Sequence, residues 1–247
     1  MSKPDTKLWH ILKQKLSARD IDQRFQTLKS FAESQFPEHG NFPLHWLSEV
    51  VTKIDELWYE KLMVKGLTQV YGGLNLIVDP SETRVAGYVV ESTNGKKITL
   101  SMNKELFMEL FDEADQGFHS GGLLCKERLV CFLHVLLHET VHLILTMYER
   151  TGFRIDERDH GKDFNRIIFN LFGQTDARHG LIPGFKQYHD LATLQKMIKK
   201  GCKVEVFVEG QWKKGVVQKK GYKWVNVICN KENYRVHTGL IRIRQKK

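Results

Sequence analysis

The most apolar stretch of this chain, Cys131–Leu145, contains three histidines at a regular spacing and one glutamate. His134, His138 and His142 are four residues apart, and Glu139 directly follows the middle histidine. On an α-helix, residues four apart lie one turn apart on the same face, so His138 and His142 direct two imidazoles towards one point. That geometry suits one tetrahedral metal ion, and Glu139, about 100° round the helix, can reach a water on that metal as a general base.

A metal held by two histidines needs a further protein ligand, and a catalytic metal keeps one position for water. Two downstream histidines precede a glycine: His160 in DHGKDF and His179 in ARHGLIP. His160 stands directly before an apolar helix pattern, whereas a surface turn also explains His179. His134 extends the ligand face by one turn, about 6 Å along the axis, which favours packing over ligation.

Two motifs, HETVH at residues 138–142 and HGKDF at residues 160–164, together resemble the SprT-like metalloprotease family, the group that includes Spartan. In that family an HExxH helix is followed by a short loop and an H-G-x-x-F motif. The resemblance covers Leu44–Phe185 and extends loosely to the sheet before the helix. It implies a protease acting on proteins attached to DNA, with Glu139 activating the water and zinc bound by His138, His142 and His160.

The expected chemistry is peptide hydrolysis. Glu139 takes a proton from the attacking water and later passes it to the leaving amine, while zinc polarises the water and steadies the oxyanion. Tyr148 is a candidate for a second group at the oxyanion. Acidic residues near His160 are candidates to orient its ring by accepting the second N–H, as metal-bound histidines usually require; they are Asp156, Glu157, Asp159 and Asp163.

The elements around these motifs predict an α+β fold. Residues 5–66 show apolar residues at helical spacing, and Ser17 three residues before Asp20 is a capping signal. After Gly73, short β-branched runs predict a small sheet with a tight turn at Asn94-Gly95. Further predicted elements are a helix at about 104–114, a glycine-rich break at GFHSGG, the histidine helix at about 124–150 and a helix from Gly161.

The length of the chain predicts one well-packed hydrophobic core and a second, smaller domain. The cysteines and the start of the chain predict that the protein stays inside a cell. The four cysteines form no CxxC pair, which argues against a disulfide framework or a zinc ribbon and for a reducing compartment. The start of the chain has no uninterrupted apolar run after its basic residues, so we expect no secretory signal. The apolar run Leu129–Met147 carries ionisable residues, which predicts a buried helix and no membrane span.

The net charge of +9 lies in one part of the chain. Residues 201–247 hold 12 Lys and Arg against 3 Asp and Glu, which leaves 26 against 26 for residues 1–200. This asymmetry predicts a basic module that meets a polyanion, attached to a neutral body with another task.

Residues 201–247 divide into five short predicted strands and resemble SH3-like barrels of the Tudor or KOW kind. Their aromatic residues can stack bases or form a cage for methylated lysine, and they can equally be barrel core beneath a solvated lysine face. The lysines would repel a basic histone-like tail, which favours nucleic acid, either DNA or RNA. The candidate residues are Trp212, Lys213, Lys214, Lys219, Lys220, Tyr222, Lys223, Trp224 and Tyr234.

The predicted organisation is a helical extension at 1–43, a zincin-like SprT domain at 44–185, a linker at 186–200 and an SH3-like barrel at 201–247. The predicted function is zinc-dependent cleavage of DNA-bound or DNA-crosslinked proteins, with one zinc per chain, in the nucleus or at cytoplasmic sites that contain DNA. One alternative is a nucleic-acid or chromatin-binding adaptor that keeps the protease fold only as a zinc-stabilised scaffold. Another is a protease whose barrel binds a protein partner.

Overall fold

The structure, a computed structural model, describes residues 5–35, 42–79, 86–92, 94–104, 106–107, 118–153, 155, 160–177, 198–208, 211–221, 224–230, 232–237 and 241–243. Within these ranges the protein is mixed α+β. It divides into two compact units, one comprising Met1–Val78 with Ala86–Leu181 and the other Asp79–Val85 with Ile182–Lys247.

The first unit contains the helices. Within the described residues these are α1 (Thr6–Lys13), α2 (Ala18–Ser34), α3 (Leu44–Tyr59), α4 (Leu62–Tyr71), α5 (Arg128–Arg150) and α6 (Lys162–Phe172). The predicted cap of α2 is confirmed, because the Ser17 hydroxyl accepts a hydrogen bond from the Asp20 N–H at 3.1 Å. Most of the predicted helix at 104–114 lies outside the described residues.

Asp55 connects α3 to α4. Glu60 and Lys61, between these helices, both have left-handed backbone conformations. The buried Asp55 carboxylate accepts the Met63 and Val64 N–H groups at 2.8 and 3.0 Å, which satisfies donors in the first turn of α4. This side chain therefore caps α4 from the preceding helix.

A small sheet packs against α5. Its strands are β1 (Leu74–Asp79), β2 (Gly87–Glu91) and β3 (Ile98–Asn103), in the order β1-β3-β2, with β2 and β3 antiparallel. The predicted turn is confirmed: the Gly95 N–H donates to the Ser92 carbonyl at 2.8 Å, with Gly95 at φ +64°. A Cβ at Gly95 would overlap the Arg150 guanidinium, so glycine lets this turn approach the end of α5.

The glycine-rich stretch that was predicted as a break forms a second hairpin. Strands β4 (Phe118–Ser120) and β5 (Leu123–Cys125) pair antiparallel, and Gly121 and Gly122 between them have φ values of +62° and +79°. Two successive residues at positive φ define the type I′ turn that suits a right-handed strand twist, and glycine adopts it without strain. The hairpin leads directly into α5.

Helix α5 is the centre of the first unit. By length and composition it could cross a membrane, but 83% of its most apolar window is buried inside the protein. It packs against β2, α2, α4 and α6, so the predicted buried core helix is confirmed. All four cysteines of the chain are free thiols.

The second unit is a five-stranded antiparallel sheet. Its strands are β6 (Lys203–Val208), β7 (Gln211–Lys220), β8 (Trp224–Cys229), β9 (Glu232–His237) and β10 (Ile241–Ile243), in the order β10-β6-β7-β8-β9. Each corresponds to one predicted strand. Alternate valines of β6 and β8 are buried, as is Val236 of β9. A bulge between Val217 and Lys219 shifts the register of β7.

Candidate metal centre

Two elements bring three histidines together. His138 and His142 lie one turn apart on α5, as the spacing predicted, and His160 lies just before the N-terminus of α6. The Nε2 atoms of His138 and His160 are 3.1 Å apart, and His142 Nε2 is 3.2 Å from each of them. The three nitrogens form a nearly equilateral triangle.

Hydrogen bonding cannot account for this triangle. Each Nε2 either carries a proton or presents a lone pair, and both are directed outward along the ring plane. Among three such nitrogens at least two must be alike, so at least one contact joins two donors or two acceptors. A cation accepts all three lone pairs at once and removes that conflict.

The spacing also fits a metal. Nitrogens that share a tetrahedral metal at about 2.0–2.1 Å lie about 3.3 Å apart, close to the distances between these three atoms. The group formed by His138, His142 and His160 can therefore hold a metal ion with one side left for another ligand. His138 is buried and the other two are partly exposed, so access to that ion would come from their side.

Phe164 supports all three imidazoles. Its ring centroid lies 4.7 Å from that of His138, 4.4 Å from His142 and 4.8 Å from His160. Phe164 is 2% exposed and belongs to the first turns of α6. The HGKDF motif thus supplies a ligand and, four residues later, the apolar surface on which the ligands rest.

Glu139 is buried where α5 packs on β2. A Cβ added at Gly87 would stand 2.9 Å from Glu139 Cγ and 3.3 Å from Glu139 Cδ, so the absent side chain of Gly87 makes room for this carboxylate. Burial raises the pKa of Glu139 to about 8. A cation bound by the neighbouring histidines would favour the carboxylate form, which is the form that can accept a proton from water.

His134 is a packing residue one turn before the ligands. Its ring stacks on Phe25 of α2 with centroids 4.3 Å apart, and burial lowers the pKa of His134 to about 4. The buried Gln174 amide donates to the His134 carbonyl at 2.9 Å, which ties the chain after α6 to α5. The expectation of packing is thereby met.

Tyr148 has a structural role as well. It is fully buried, and its hydroxyl donates to the Asp5 carbonyl at 2.8 Å while its ring packs on Trp9 and Phe153. Tyr148, which was a candidate oxyanion donor from the sequence, therefore holds α1 against the end of α5. We assign Tyr148 no part at the metal centre. Asp163 forms an ion pair with Arg166 at 2.7 Å. His179, Asp156, Glu157 and Asp159 lie outside the described residues.

The basic candidates of the second unit fall into separate groups. Lys213 donates to the Tyr234 hydroxyl at 3.0 Å and lies 5.1 Å above its ring, and that hydroxyl also hydrogen-bonds Glu232. Lys214, Lys219 and Lys220 are exposed on β7. Trp212 and Trp224 occupy positions in β7 and β8, with side chains that are not described, and Tyr222 and Lys223 lie outside the described residues.

Sequence reasoning gave no role to Gly87, Asn165 or Phe164. Gly87 did carry a signal, because an isolated glycine inside a strand often marks a close approach by another group. Comparison of the chain with models of known protein families, with curated proteins and with solved structures finds no match in any of the three.

Proposed function

We propose that this chain is a zinc-dependent endopeptidase of SprT-like type that cleaves DNA-bound or DNA-crosslinked proteins and is held on nucleic acid by its second unit. The observation that carries the proposal is the triangle of His138, His142 and His160 on a helix whose next residue after His138 is a buried glutamate. Three neutral histidines with a neighbouring carboxylate are a donor set for a hydrolytic metal.

Zinc is the metal that we assign to this site. Imidazole nitrogens also suit copper, iron and nickel, but a three-histidine tetrahedral site with an open position is typical of hydrolytic zinc. When bound, zinc polarises both a water and the carbonyl of the scissile peptide. The one-per-chain stoichiometry follows from the single described histidine cluster.

Glu139 supplies the proton transfers. It removes a proton from the attacking water and then delivers that proton to the nitrogen of the leaving amine. Its carboxylate lies against the Gly87 backbone of β2, so a fixed strand limits the rotation of the side chain. The Phe164 ring contacts all three imidazoles and so restricts their rotation. The residues of α5 next to His138 are buried, which keeps bulk water from that side of the histidine.

The second unit supports the tethering part of the proposal. Its last strand, β10, returns to pair with β6, and the long, bulged β7 pairs on both sides, as in SH3-like barrels. Its sequence carries the whole excess of positive charge. A nucleic-acid tether would raise the concentration of the peptidase near DNA-bound proteins without a deep specificity pocket.

The test compares the wild-type chain with Glu139→Gln and His160→Ala, using a DNA-binding protein as substrate with and without single-stranded DNA. We expect cleavage by the wild type alone, stimulated by DNA, with zinc retained in Glu139→Gln and lost in His160→Ala. Undiminished cleavage by Glu139→Gln would reject the mechanism. Zinc binding by the wild type without cleavage of any DNA-bound protein would favour the adaptor alternative.

A further inference from the structure

The outward face of the second unit carries several exposed cations. On β6, Val204 and Val206 point into the core, so Lys203 points outward, and on β7 the buried Val217 likewise places Lys214 outward. The bulge after Val217 returns Lys219 to the outward face, where it pairs with Asn226.

Arg235 completes this surface. It pairs with Asn226 from the other side, so Lys219 and Arg235 lie in one row across three strands, about 10 Å apart at the backbone. All four cations are exposed. We call Lys203, Lys214, Lys219 and Arg235 the basic face. Among the described residues Glu205 is its one outward acidic neighbour, paired in register with Lys214.

Lys213 belongs to the other side of the sheet. It is one residue from Lys214, so the alternation of the strand directs it away from the basic face, and its ammonium lies on Tyr234. Glu232, opposite the buried Cys229, shares that inner side. The two adjacent lysines therefore differ in surroundings while having the same charge.

We propose that the basic face binds the phosphate backbone of nucleic acid and that Lys213 takes no part in it. Exposed cations gain little from isolated surface ion pairs, whereas phosphates that they neutralise release condensed counterions. The described neutral residues of this face are Val216, Asn226, Ile228 and Asn233, none of which is an aromatic residue that could stack on a base. The face therefore meets nucleic acid through its cations, which contact phosphates, so binding should depend on salt far more than on base sequence. The proposal deepens the tethering part of the proposed function.

The experiment measures the affinity of the full chain for oligothymidine, oligouridine and a mixed-sequence duplex over a series of salt concentrations. Each lost phosphate contact lowers the slope of log affinity against log salt by about 0.7 for single strands and about 0.9 for duplex. We expect Lys214→Gln and Lys219→Gln each to lower the slope by that amount, and Lys213→Gln, the matched control, to leave it unchanged.

The outcomes separate this proposal from the one on which it rests. Wild-type slopes in both Lys214→Gln and Lys219→Gln, or an equal loss in Lys213→Gln, would overturn the basic face while leaving nucleic-acid binding established. A wild-type chain that binds none of the three probes would reject the tether itself. The probe that the wild-type chain binds most tightly at one fixed salt concentration identifies the form of nucleic acid that is preferred.

A second, independent observation concerns the third metal ligand. His160 has a left-handed backbone, φ +59°, which non-glycine residues adopt at a cost of about 1 kcal/mol. That conformation turns the chain into α6 while the imidazole meets His138 and His142. Because this backbone conformation is disfavoured, His160 needs contacts from other residues to hold it.

Asn165 makes the contacts that do so. Its side-chain Nδ2 donates to the carbonyl oxygens of both His160 and Gly161, the latter at 3.1 Å. Its backbone N–H also donates to the Gly161 carbonyl at 3.0 Å. One amide group thus fixes the two peptide units that follow the ligand, and it can do so only as a donor.

The geometry points to Asn165 as a positioning residue for His160. The test is Asn165→Asp, which keeps the shape but directs carboxylate oxygens at two carbonyl oxygens. The negative charge that this substitution adds, near the metal and near the N-terminus of α6, would by itself favour metal binding. A loss of metal affinity therefore reports the loss of the N–H donors of Asn165. Asn170→Asp puts the same charge on the same helix and is the matched control.

Metal affinity is measured by competition with a chromophoric chelator, and the cobalt-substituted chain reports ligand geometry through its visible absorption. We expect Asn165→Asp to bind zinc about tenfold to a hundredfold more weakly, with an altered cobalt spectrum, and Asn170→Asp to match the wild type. Wild-type affinity and spectrum in Asn165→Asp would overturn the assignment. This readout does not depend on peptidase activity, so it tests the role of Asn165 even in a chain that binds zinc without cleaving any substrate.

Discussion

Replacement of Gly87 by alanine should displace the catalytic carboxylate while leaving the metal ligands in place. The new methyl would stand 2.9 Å from Glu139 Cγ and 3.0 Å from Met102 Sδ. Carbon atoms pack at about 3.5–4.0 Å, so Glu139 must move by about 0.6–1.1 Å. A shift of that size at a reacting group lowers turnover by about 100-fold, and overpacking of this kind destabilises by about 1–3 kcal/mol.

Gly66→Ala provides the control for global stability. A methyl there would also meet a side chain of the same unit, Met147 Sδ at 2.8 Å, but this is the end of a flexible side chain. Alanine within α4 also gains helix propensity of about 1 kcal/mol. The Gly66→Ala variant should therefore keep its activity and its free energy of unfolding close to wild type.

The assay combines zinc content, peptidase rate and urea unfolding for both variants. We expect Gly87→Ala to keep stoichiometric zinc and lose about 100-fold in rate, whereas Gly66→Ala keeps both. In a Glu139→Ala background the stability cost of Gly87→Ala should shrink by about 1 kcal/mol, because the clashing atoms are gone. Full activity in Gly87→Ala, or the same stability cost in both backgrounds, would refute the packing argument.

Three other perturbations follow from the structure. Phe164→Leu should weaken zinc binding about tenfold, because the ring that supports all three imidazoles is lost; chelator competition measures this, and unchanged affinity would contradict it. Asp55→Ala should lower the free energy of unfolding by about 1–3 kcal/mol, because two N–H groups of α4 lose their acceptor. Zinc affinity should not change. A variant that also binds zinc more weakly would contradict the assignment of Asp55 as a local helix cap. His134 has a pKa lowered from 6.5 to about 4 in the folded protein, so the unfolded chain binds more protons between these values. The stability that it contributes is present above pH 6.5 and is lost as pH falls towards 4, by about 3 kcal/mol in all. Urea unfolding of the zinc-free chain between pH 7 and pH 5 should show a shallower loss in His134→Leu than in wild type, and parallel curves would contradict this.

The helix that carries the metal ligands was predictable because local periodicity determines it. Apolar residues around His134, His138 and His142 repeat with the helical period, and the same residues that build the core fix the direction of the imidazoles. Turn chemistry at Asn94-Gly95 and alternation in residues 201–247 were equally local. Short-range rules therefore sufficed for most helices and strands.

Contacts between distant segments were not predictable in this way. Glu139 and Gly87 meet only because β2 packs on α5, and the left-handed conformation of His160 is one that its residue type permits but does not require. The division between Lys213 and Lys214 depends on which face of β7 meets the core. Each of these features arises from tertiary packing, which the composition and spacing of a single segment do not encode.

The most direct test of the central claim is the metal content and coordination of the purified chain. Elemental analysis with X-ray absorption at the zinc edge should show one zinc per chain, bound by three imidazole nitrogens at about 2.0–2.1 Å and by one oxygen. His160→Ala should lose the metal or one nitrogen of that shell. A chain that binds no zinc when it is supplied, or a His160→Ala variant with an unchanged three-nitrogen shell, would contradict the assignment of the site.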